Sequence, residues 1–397
     1  MELTPNAEKE LRLCVKFFLD TYSRQEESFG MVPDCYPHKY QNTSSVAGTG
    51  FFFSSLTIAA EYGYLPKEEA RTIAIKTMGT ISRLATVHGW YYHFYETDTG
   101  LPTRLSEIST IDTALLLAGM LTAAGYFRGR CLEISYNVLN RVNFPYFYSY
   151  YGNMFSMAMN YQHEFMGHWD RYAEQLILYV LGCANMNPSH HMDPSLFYSF
   201  KRDWGEYGSH RFIHSWHGSI FTYQFSHAYV DFRNLEDRYG VDWFLNSKEA
   251  VEAAYEYACD IQGQFASVHS KSWGLTACAC EGGYSGRYGA APNGEGCTHN
   301  DGTMAPYGAV ASIIFAPEHA LEALDYYYSN PKLINDYGLL DSYNEDTAYY
   351  CPYYISIDKG ITMVMLANYR DGIVSKSFMS LEIIQRALAE LGLRERK

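Results

Sequence analysis

Residues 109–126 read STIDTALLLAGMLTAAGY, a stretch that opens with a helix-capping pattern and continues as a long apolar run. Ser109 and Asp112 have the spacing of a capping box, in which two side chains satisfy the free backbone amides at the start of a helix. The run after them predicts an apolar, buried helix that ends near Tyr126.

Helical periodicity also dominates on both sides of this stretch. One helix is predicted to begin at Thr4-Pro5, where a capping residue precedes a proline at the first helical position. The pattern predicts about twelve helices in total. The others lie at 44–62, 66–86, 129–142, 169–184, 247–268, 317–328 and 377–393, with shorter ones near 219–228, 304–314 and 360–370. The best strand candidate is 90–95.

Long glycine- and aromatic-rich segments connect these helices, and loops of such length inside a compact domain are typically functional. They lie at 26–43, 87–107, 144–168, 200–218 and 272–302. No repeat of fixed period and no Pro/Ser linker marks a domain boundary. We therefore predict one all-α domain over residues 1–397, with helical hairpins closed into a ring and the aromatic-rich loops gathered at one end.

Composition limits the possible functions. Hydrophobic residues make up 47% of the 397 residues and charged residues 19%, which excludes an intrinsically disordered chain. The net charge of -14 repels phosphate groups, so neither a nucleic-acid partner nor a membrane partner is expected. The 37 tyrosines, within an aromatic share of 16%, suit ligands that need ring stacking and hydrogen bonds together.

The cysteines and the N-terminus favour a cytoplasmic protein. Nine scattered cysteines are an odd number, which is typical of a reducing compartment rather than of a disulfide framework. The first residues are acidic and polar, unlike a signal peptide. The longest apolar stretch, 113–127, is predicted to be too short to span a bilayer.

Two patterns come close to known binding sites. Gly48-Thr49-Gly50 has no third glycine at the dinucleotide-binding spacing, so nucleotide binding is unsupported. Cys278-x-Cys280 and Cys297-x-His299 offer four soft ligands that could hold zinc. Their one-residue spacers are poor chelate geometry, however, and free thiols in a loop are the favoured interpretation. The sequence thus predicts no cofactor and no metal.

A carboxylate on an otherwise apolar helix is the most informative chemical feature. Glu174 shares its predicted helix face with Ile177, Leu178 and Leu181, and Asp170 lies one turn earlier. A buried carboxylate is costly unless it is paired, and burial raises its pKa, as a general acid requires. The alternative is that Asp170 is only a helix N-terminal acid and that Glu174 is bridged to an arginine.

Further acids stand beside aromatic residues. Glu96 and Asp98 follow the run of aromatic residues that ends at Tyr95, and together they resemble a sugar subsite in which rings stack on pyranose faces and carboxylates bind hydroxyl groups. Asp112 is interpreted equally well as a capping residue or as a catalytic one. Asp301 could be a ligand or a turn residue, and the turn is slightly favoured.

Aromatic residues outside this run could line the same cleft. Trp216 and Trp273, with several tyrosine-rich loops, are candidates, although core packing is the favoured interpretation for any one of them. His227 is one of several histidines in this part of the chain, and no pair among His190, His210, His214, His217 and His227 has a spacing that indicates a proton relay. As a set, an acidic and aromatic cleft on a helical ring fits carbohydrate chemistry best.

Several stretches together resemble the bacterial glycoamylase-like family that includes the β-1,2-glucanases. The similar blocks span nearly the whole chain and are collectively specific. They are 43–51, 94–100 with 109–119, 172–174, 224–233, 273–277, 301–306 and 368–370.

The resemblance implies an (α/α)6 barrel and hydrolysis of β-1,2-linked glucans, with inversion at the anomeric carbon. Glu174 matches the acid that the family uses in its cleft, and Asp98 and Asp112 match acids of an earlier block. We take Glu174 as the catalytic acid and Asp98 or Glu96 as the base. The expected substrate-binding residues are Asp112, Asp170, Tyr95, Trp216, His227, Trp273 and Asp301. One departure is Cys278-Ala279-Cys280, which replaces a Ser-Asp-like run of the family.

Three functions remain open at this level. The first is a β-1,2-glucan hydrolase with carboxyls roughly 6.5–9.5 Å apart. The second is a transglycosylase that retains the anomer, with carboxyls roughly 5 Å apart. The third is a non-catalytic glucan-binding protein.

Overall fold

The computed structural model describes residues 1–37, 42–148 and 154–396, and its regular structure is mainly helical. This part of the chain contains twelve α-helices: α1 Pro5–Thr21, α2 Val46–Glu61, α3 Lys67–Ile81, α4 Thr110–Phe127, α5 Arg130–Arg141, α6 Leu176–Ala184, α7 Trp243–Asp260, α8 Pro306–Val310, α9 Pro317–Ser329, α10 Ser356–Arg370, α11 Ile373–Met379 and α12 Glu382–Glu390. The predicted helical class is confirmed.

Some helix boundaries differ from the prediction. The helix predicted at 377–393 is two helices, α11 and α12, and the segment at 219–228 forms two 3-10 helices, Ile220–Tyr223 and Phe225–Ala228. The start of α6 is Leu176 rather than residue 169. The Gln175 side chain donates to the carbonyl of Arg171 and accepts from the amide of Ala173, so it takes up backbone groups that an earlier start would need.

Short antiparallel strands occupy the connections between the helices. Two sheets have three strands each: Val32–Pro33, Thr43–Ser45 and Phe94–Glu96, then Ile108–Ser109, Ser156–Met159 and Phe165–His168. The two-stranded pairs are Cys35–Tyr36 with Tyr354–Ile355, Thr86–Val87 with Trp90–Tyr91, Trp204–Tyr207 with His210–Ile213, Leu235–Glu236 with Arg394–Glu395, Cys278–Cys280 with Gly283–Ser285, Ile334–Asn335 with Gly338–Leu339, and Tyr343–Asn344 with Tyr349–Tyr350.

The helices α2 and α4 form the centre of the core, and glycine lets their backbones touch. A Cβ atom on Gly119 would lie 1.9 Å from the carbonyl oxygen of Gly50, a distance that no side chain can occupy. Gly50 therefore serves helix packing rather than phosphate binding. By length and composition α4 could cross a membrane, contrary to the prediction for residues 113–127, and 83% of it is buried inside the protein.

The helices fall into a buried set and a surrounding set. Nearly every residue of α2, α4, α6, α8 and α10 is buried. Within this set α2 packs against α4 and α10, α4 packs against α6, and α8 packs against α10. Helices with one exposed face cover them: α1 on α2 and α10, α5 on α4, α9 on α8, and α12 on α6.

The N-terminal ends of several buried helices carry acidic residues. Asp112 lies in the first turn of α4 and Asp358 in the first turn of α10, and Glu174 stands just before α6. The amide of Ser356 donates to the carbonyl of Asp34 at 2.8 Å, which ties the start of α10 to the first three-stranded sheet. Helix N-termini favour negative charge, so this end of the helix set gathers carboxylates at low cost.

Candidate active site

A cavity of about 540 Å³ opens beside α6. Residues 167–174 form one part of its lining, residues 215–217 with Ser219, Phe221 and Thr222 form another, and Met157 and Gly286 complete it. The lining mixes apolar surface with a few polar groups, as small-molecule sites do. Of the predicted site residues, Glu174, Asp170 and Trp216 line this cavity.

Glu174 is the most perturbed acid of the cavity wall. It lies in the turn before α6, not on the helix, and Ser226 Oγ donates to its backbone carbonyl at 2.6 Å. Burial, together with the nearby charge of Asp112, raises the pKa of the Glu174 carboxyl to about 7. Its carboxyl makes no ion pair within the described residues, so the predicted alternative of an arginine bridge is not observed. The side chain can therefore carry a proton at neutral pH.

An imidazole surrounded by carboxylates lies next to Asp112, the residue whose charge acts on Glu174. His93 Nδ1 is 2.8 Å from Glu107 Oε1, and His93 Nε2 is 3.5 Å from Asp112 Oδ1. Burial disfavours charge on His93, but Asp112, Glu107 and Asp34 outweigh it and raise the pKa of the imidazole to about 9. His93 is therefore a cation at neutral pH, and Asp112 has a charged partner.

A second pair of acids lies beyond Asp34. Asp341 and Asp358 are both buried, and burial raises the pKa of both carboxyls. The Asp341 charge raises the pKa of Asp358 further, so the two carboxyls titrate as a pair. Asp341 Oδ2 accepts from the amide of Ala279, whereas neither oxygen of Asp358 accepts from a donor in the described part of the chain.

The structure does not bring Asp98 and Glu96 into the cavity. Glu96 ends its strand with an exposed side chain that accepts from Thr99 Oγ1 at 2.9 Å. Asp98 is exposed in the turn that follows. The role of base that we expected for one of them remains a prediction, without support from their position.

Three predicted binding residues lie in the core instead of at the cavity. The Tyr95 hydroxyl donates to the carbonyl of Ala85, and Trp273 Nε1 donates to that of His319. His227 is buried with Nε2 2.8 Å from Ser247 Oγ, and burial lowers the pKa of its imidazole to about 3. Rings with such internal partners are held as core residues.

Asp301 takes the turn role that the sequence slightly favoured. Its Oδ1 accepts from the amide of Thr303 at 2.9 Å, and its Oδ2 accepts from the Tyr288 hydroxyl at 2.7 Å. Trp216, by contrast, is 45% exposed on the cavity wall, with the guanidinium of Arg171 5.0 Å from its ring centroid. An exposed indole beside a cation is suited to stacking on a sugar ring.

The sequence did not single out five residues of the group of charged side chains around His93 and Asp358. They are His93, Glu107, Asp34, Asp341 and Asp358. His93 lies inside the aromatic run 90–95, and its charge comes from partners at residues 107, 112 and 34. Only Asp358 carried a signal, because an acid in the first turn of a largely apolar helix indicates a carboxylate close to the core.

The four soft ligands predicted as a zinc alternative do not converge. Cys278 and Cys280 lie on a strand paired with Gly283–Ser285, and all nine cysteines are free thiols. Cys297 and His299 instead form a group with Glu295.

Comparison with known proteins adds to this geometry. The model of the family described as "Putative glucoamylase" (Glycoamylase) matches residues 167–382, more than half of the chain. The chain belongs to this family. The predicted resemblance to glycoamylase-like proteins is confirmed.

Relatives of this glycoamylase family member include characterised and solved proteins. An exo β-1,2-glucooligosaccharide sophorohydrolase (non-reducing end) of Parabacteroides distasonis is 25% identical over 395 residues, covering 87% of this chain and 53% of the relative. The chain thus spans about half the length of that curated relative.

Solved structures of the family have the same fold. A protein described as a "putative glucoamylase" from Bacteroides uniformis matches with a TM-score of 0.89 and 23% identity, covering 100% of this chain and 99% of the other. An endo-β-1,2-glucanase from Chitinophaga pinensis, solved with sophorotriose and glucose, matches with a TM-score of 0.86 and 23% identity over 99% of both chains.

Proposed function

We propose that this chain is a glycoside hydrolase that cleaves β-1,2-linked glucans or short glucooligosaccharides. The observation that carries the proposal is Glu174, a cavity carboxyl whose pKa burial raises to about 7. Family membership and the activities named for the relatives support the linkage.

We also infer that the buried helices close into an (α/α)6 barrel and that residues 1–397 form one domain. The buried helices α2, α4, α6, α8 and α10 pack against one another in chain order, except that the two 3-10 helices lie between α6 and α8.

Glu174 acts as the general acid in this proposal. At neutral pH a large share of its carboxyl is protonated, and the proton moves to the glycosidic oxygen as the bond to the anomeric carbon breaks. Asp170 binds sugar hydroxyl groups from the same wall, and Trp216 stacks on a sugar ring across the cavity.

The base is proposed to be Asp112 instead of Asp98 or Glu96. Asp112 acts electrostatically on Glu174, and cationic His93 faces it at 3.5 Å. An inverting enzyme activates water with a second carboxylate that stands roughly 6.5–9.5 Å from the acid. Replacement of Asp112 by Asn would then lower the rate of hydrolysis by about 10²-fold or more, whereas Asp98→Asn and Glu96→Gln would leave it nearly unchanged.

The decisive experiment follows the products by NMR. The purified protein is incubated with short β-1,2-glucooligosaccharides, and product length and anomeric form are recorded over time. Shorter products of inverted anomer, absent with Glu174→Gln but present with Glu133→Gln, would support the hydrolase. Glu133 is the matched control because it is an exposed glutamate on α5, paired with Arg130.

The other outcomes select the remaining candidates. Longer products of retained anomer would indicate a transglycosylase. Binding of the oligosaccharides without turnover, unchanged by Glu174→Gln, would contradict the catalytic proposal and leave a glucan-binding protein.

A further inference from the structure

Three different electron-pair donors converge at the end of the loop 293–299. Glu295 lies in a turn of this loop, and Cys297 and His299 follow it at alternate positions. His299 Nε2 lies 3.4 Å from Cys297 Sγ and 3.2 Å from Glu295 Oε1, and all three atoms are within 4.8 Å of one another.

These separations match those between ligands of a tetrahedral zinc ion. Zinc binds Cys, His and Glu at roughly 2.0–2.3 Å, and the edge of such a tetrahedron is about 1.6 times the bond length, or about 3.3–3.8 Å. Two of the three ligand pairs are already within about 0.1 Å of this interval. A metal would require little movement of the loop.

The protonation state of His299 is also suitable. Arg287 Nη2 lies 2.6 Å from His299 Nε2 and also donates to Glu295 Oε1. Because a guanidinium can only donate, His299 Nε2 carries its lone pair on the side where the other donors meet. Arg287 therefore supplies positive charge at this point, and its side chain is 51% exposed and free to turn outward.

We propose that Glu295, Cys297 and His299 form a binding site for a thiophilic divalent cation, with Zn²⁺ as the best match. On binding, the Cys297 thiol releases its proton to solvent, and Arg287 leaves the position between the donors. One thiolate and one carboxylate then balance the two charges of the ion, and water takes the fourth position.

The position of this site links it to the cavity wall. His217 Nδ1 is 2.9 Å from Glu295 Oε2, and the amides of Gly294 and Glu295 donate to the carbonyls of Ser215 and Trp216. His217 and Trp216 line the cavity. A bound ion would fix this wall, with His217 orienting Glu295 from behind. The inference does not depend on the proposed hydrolase activity.

A rival group of donors, Cys183, His191 and Glu390, is less suited to a metal. His191 Nε2 already pairs with Glu390 at 2.8 Å, and its Nδ1 is 2.8 Å from the carbonyl of Asn185. Cys183 is fully buried, so an ion has no direct path to its sulfur. The proposed site has an exposed Cys297.

Titration of the metal-free full chain with Co²⁺, followed by competition with Zn²⁺, tests the site. Cobalt bound to a thiolate gives a sulfur-to-metal charge-transfer absorption, and tetrahedral cobalt gives intense visible bands. We expect one equivalent in the wild type, and a loss of at least about 100-fold in affinity with loss of the charge-transfer band in Cys297→Ser. His299→Ala should weaken binding similarly.

Matched variants separate this site from other donors. Cys280→Ser and His191→Ala should bind one equivalent like the wild type. Arg287→Ala should bind more tightly, because the competing cation is gone. Absence of binding at micromolar metal, a charge-transfer band that persists in Cys297→Ser, its loss in His191→Ala, or unchanged affinity in Arg287→Ala would each overturn the proposal.

Discussion

Two glutamates, the buried Glu10 and the half-buried Glu174, occupy opposite situations in this molecule. Glu10 on α1 is fully buried and accepts from Lys359 Nζ at 2.6 Å, from the Tyr328 hydroxyl at 2.7 Å and from the amide of Leu339 at 3.1 Å. Glu174 has no such set of donors and faces a cavity. A satisfied carboxylate holds helices together, whereas an unsatisfied one is available to a ligand.

The largest effect is expected from removing the partner of Glu10. Lys359→Met should lower the free energy of unfolding by about 3–5 kcal/mol, because it leaves a buried carboxylate without its counter-charge. Lys16→Met, which breaks an exposed pair with Asp20, should change it by less than about 1 kcal/mol. Urea unfolding measures both. If Lys359→Met and Lys16→Met changed the free energy of unfolding equally, Glu10 would not be the structural carboxylate that the comparison requires.

The pH dependence of hydrolysis tests the protonated state of Glu174. Its acid form is present below a pKa of about 7 and is lost as the pH rises through that value. The rate of hydrolysis should therefore fall about tenfold per pH unit above 7, up to about 10²-fold by pH 9. The rate constant is measured with saturating oligosaccharide. A rate that stays constant to pH 9 would contradict Glu174 as the acid.

The stability of a Glu174 variant should change in the opposite sense to that of Lys359→Met. The folded pKa of Glu174 is about 7 and the ordinary value is 4.5, so between these two pH values the unfolded chain ionises while the folded protein stays protonated. Stability falls across this window, and the full loss is present above pH 7. Glu174→Gln should raise the free energy of unfolding by roughly 1–3 kcal/mol at pH 8.5 and leave it nearly unchanged at pH 4. Thermal unfolding at the two pH values checks this. A loss of stability in Glu174→Gln at pH 8.5 would show that the Glu174 carboxylate, like that of Glu10, stabilises the fold.

The smallest effect is expected at the exposed acids near residue 97. Asp98→Asn should change the rate of hydrolysis by less than about twofold, since a solvated loop carboxylate away from the cavity stabilises no transition state. Steady-state kinetics with the same oligosaccharide give the comparison. A loss of 10²-fold or more would restore Asp98 as the base and displace Asp112.

The sequence predicted the helical class and singled out Glu174, which the structure places in the cavity wall, and the reasons are local. The capping pattern at Ser109 and Asp112 and the long apolar run after it require no knowledge of distant residues. Glu174 was found because acids are rare next to apolar runs, although its turn was mistaken for a helix. That error came from Gln175, whose side chain binds the backbone and delays α6.

The rest of the site depends on long-range contacts that no local pattern contains. His93 becomes a cation only because residues 34, 107 and 112 surround it. Tyr95, His227 and Trp273 are the same residue types that line sugar clefts, and only the fold decides that their polar atoms turn inward. Residue types predict what chemistry a cleft can perform. The burial and the hydrogen-bond partners of each residue decide which residues of those types line the cleft.

The contact between Gly50 and Gly119 has a consequence for how this scaffold can diversify. It joins α2 and α4 backbone to backbone, so the position of the first turn of α4 does not depend on the size of any side chain in between. Loops at that end can lengthen, shorten or exchange aromatic residues while the helix that carries Asp112 stays in place. The loops and the helix that carries Asp112 can therefore evolve separately, because Gly50 and Gly119, which lack a Cβ atom, keep the two helices in contact.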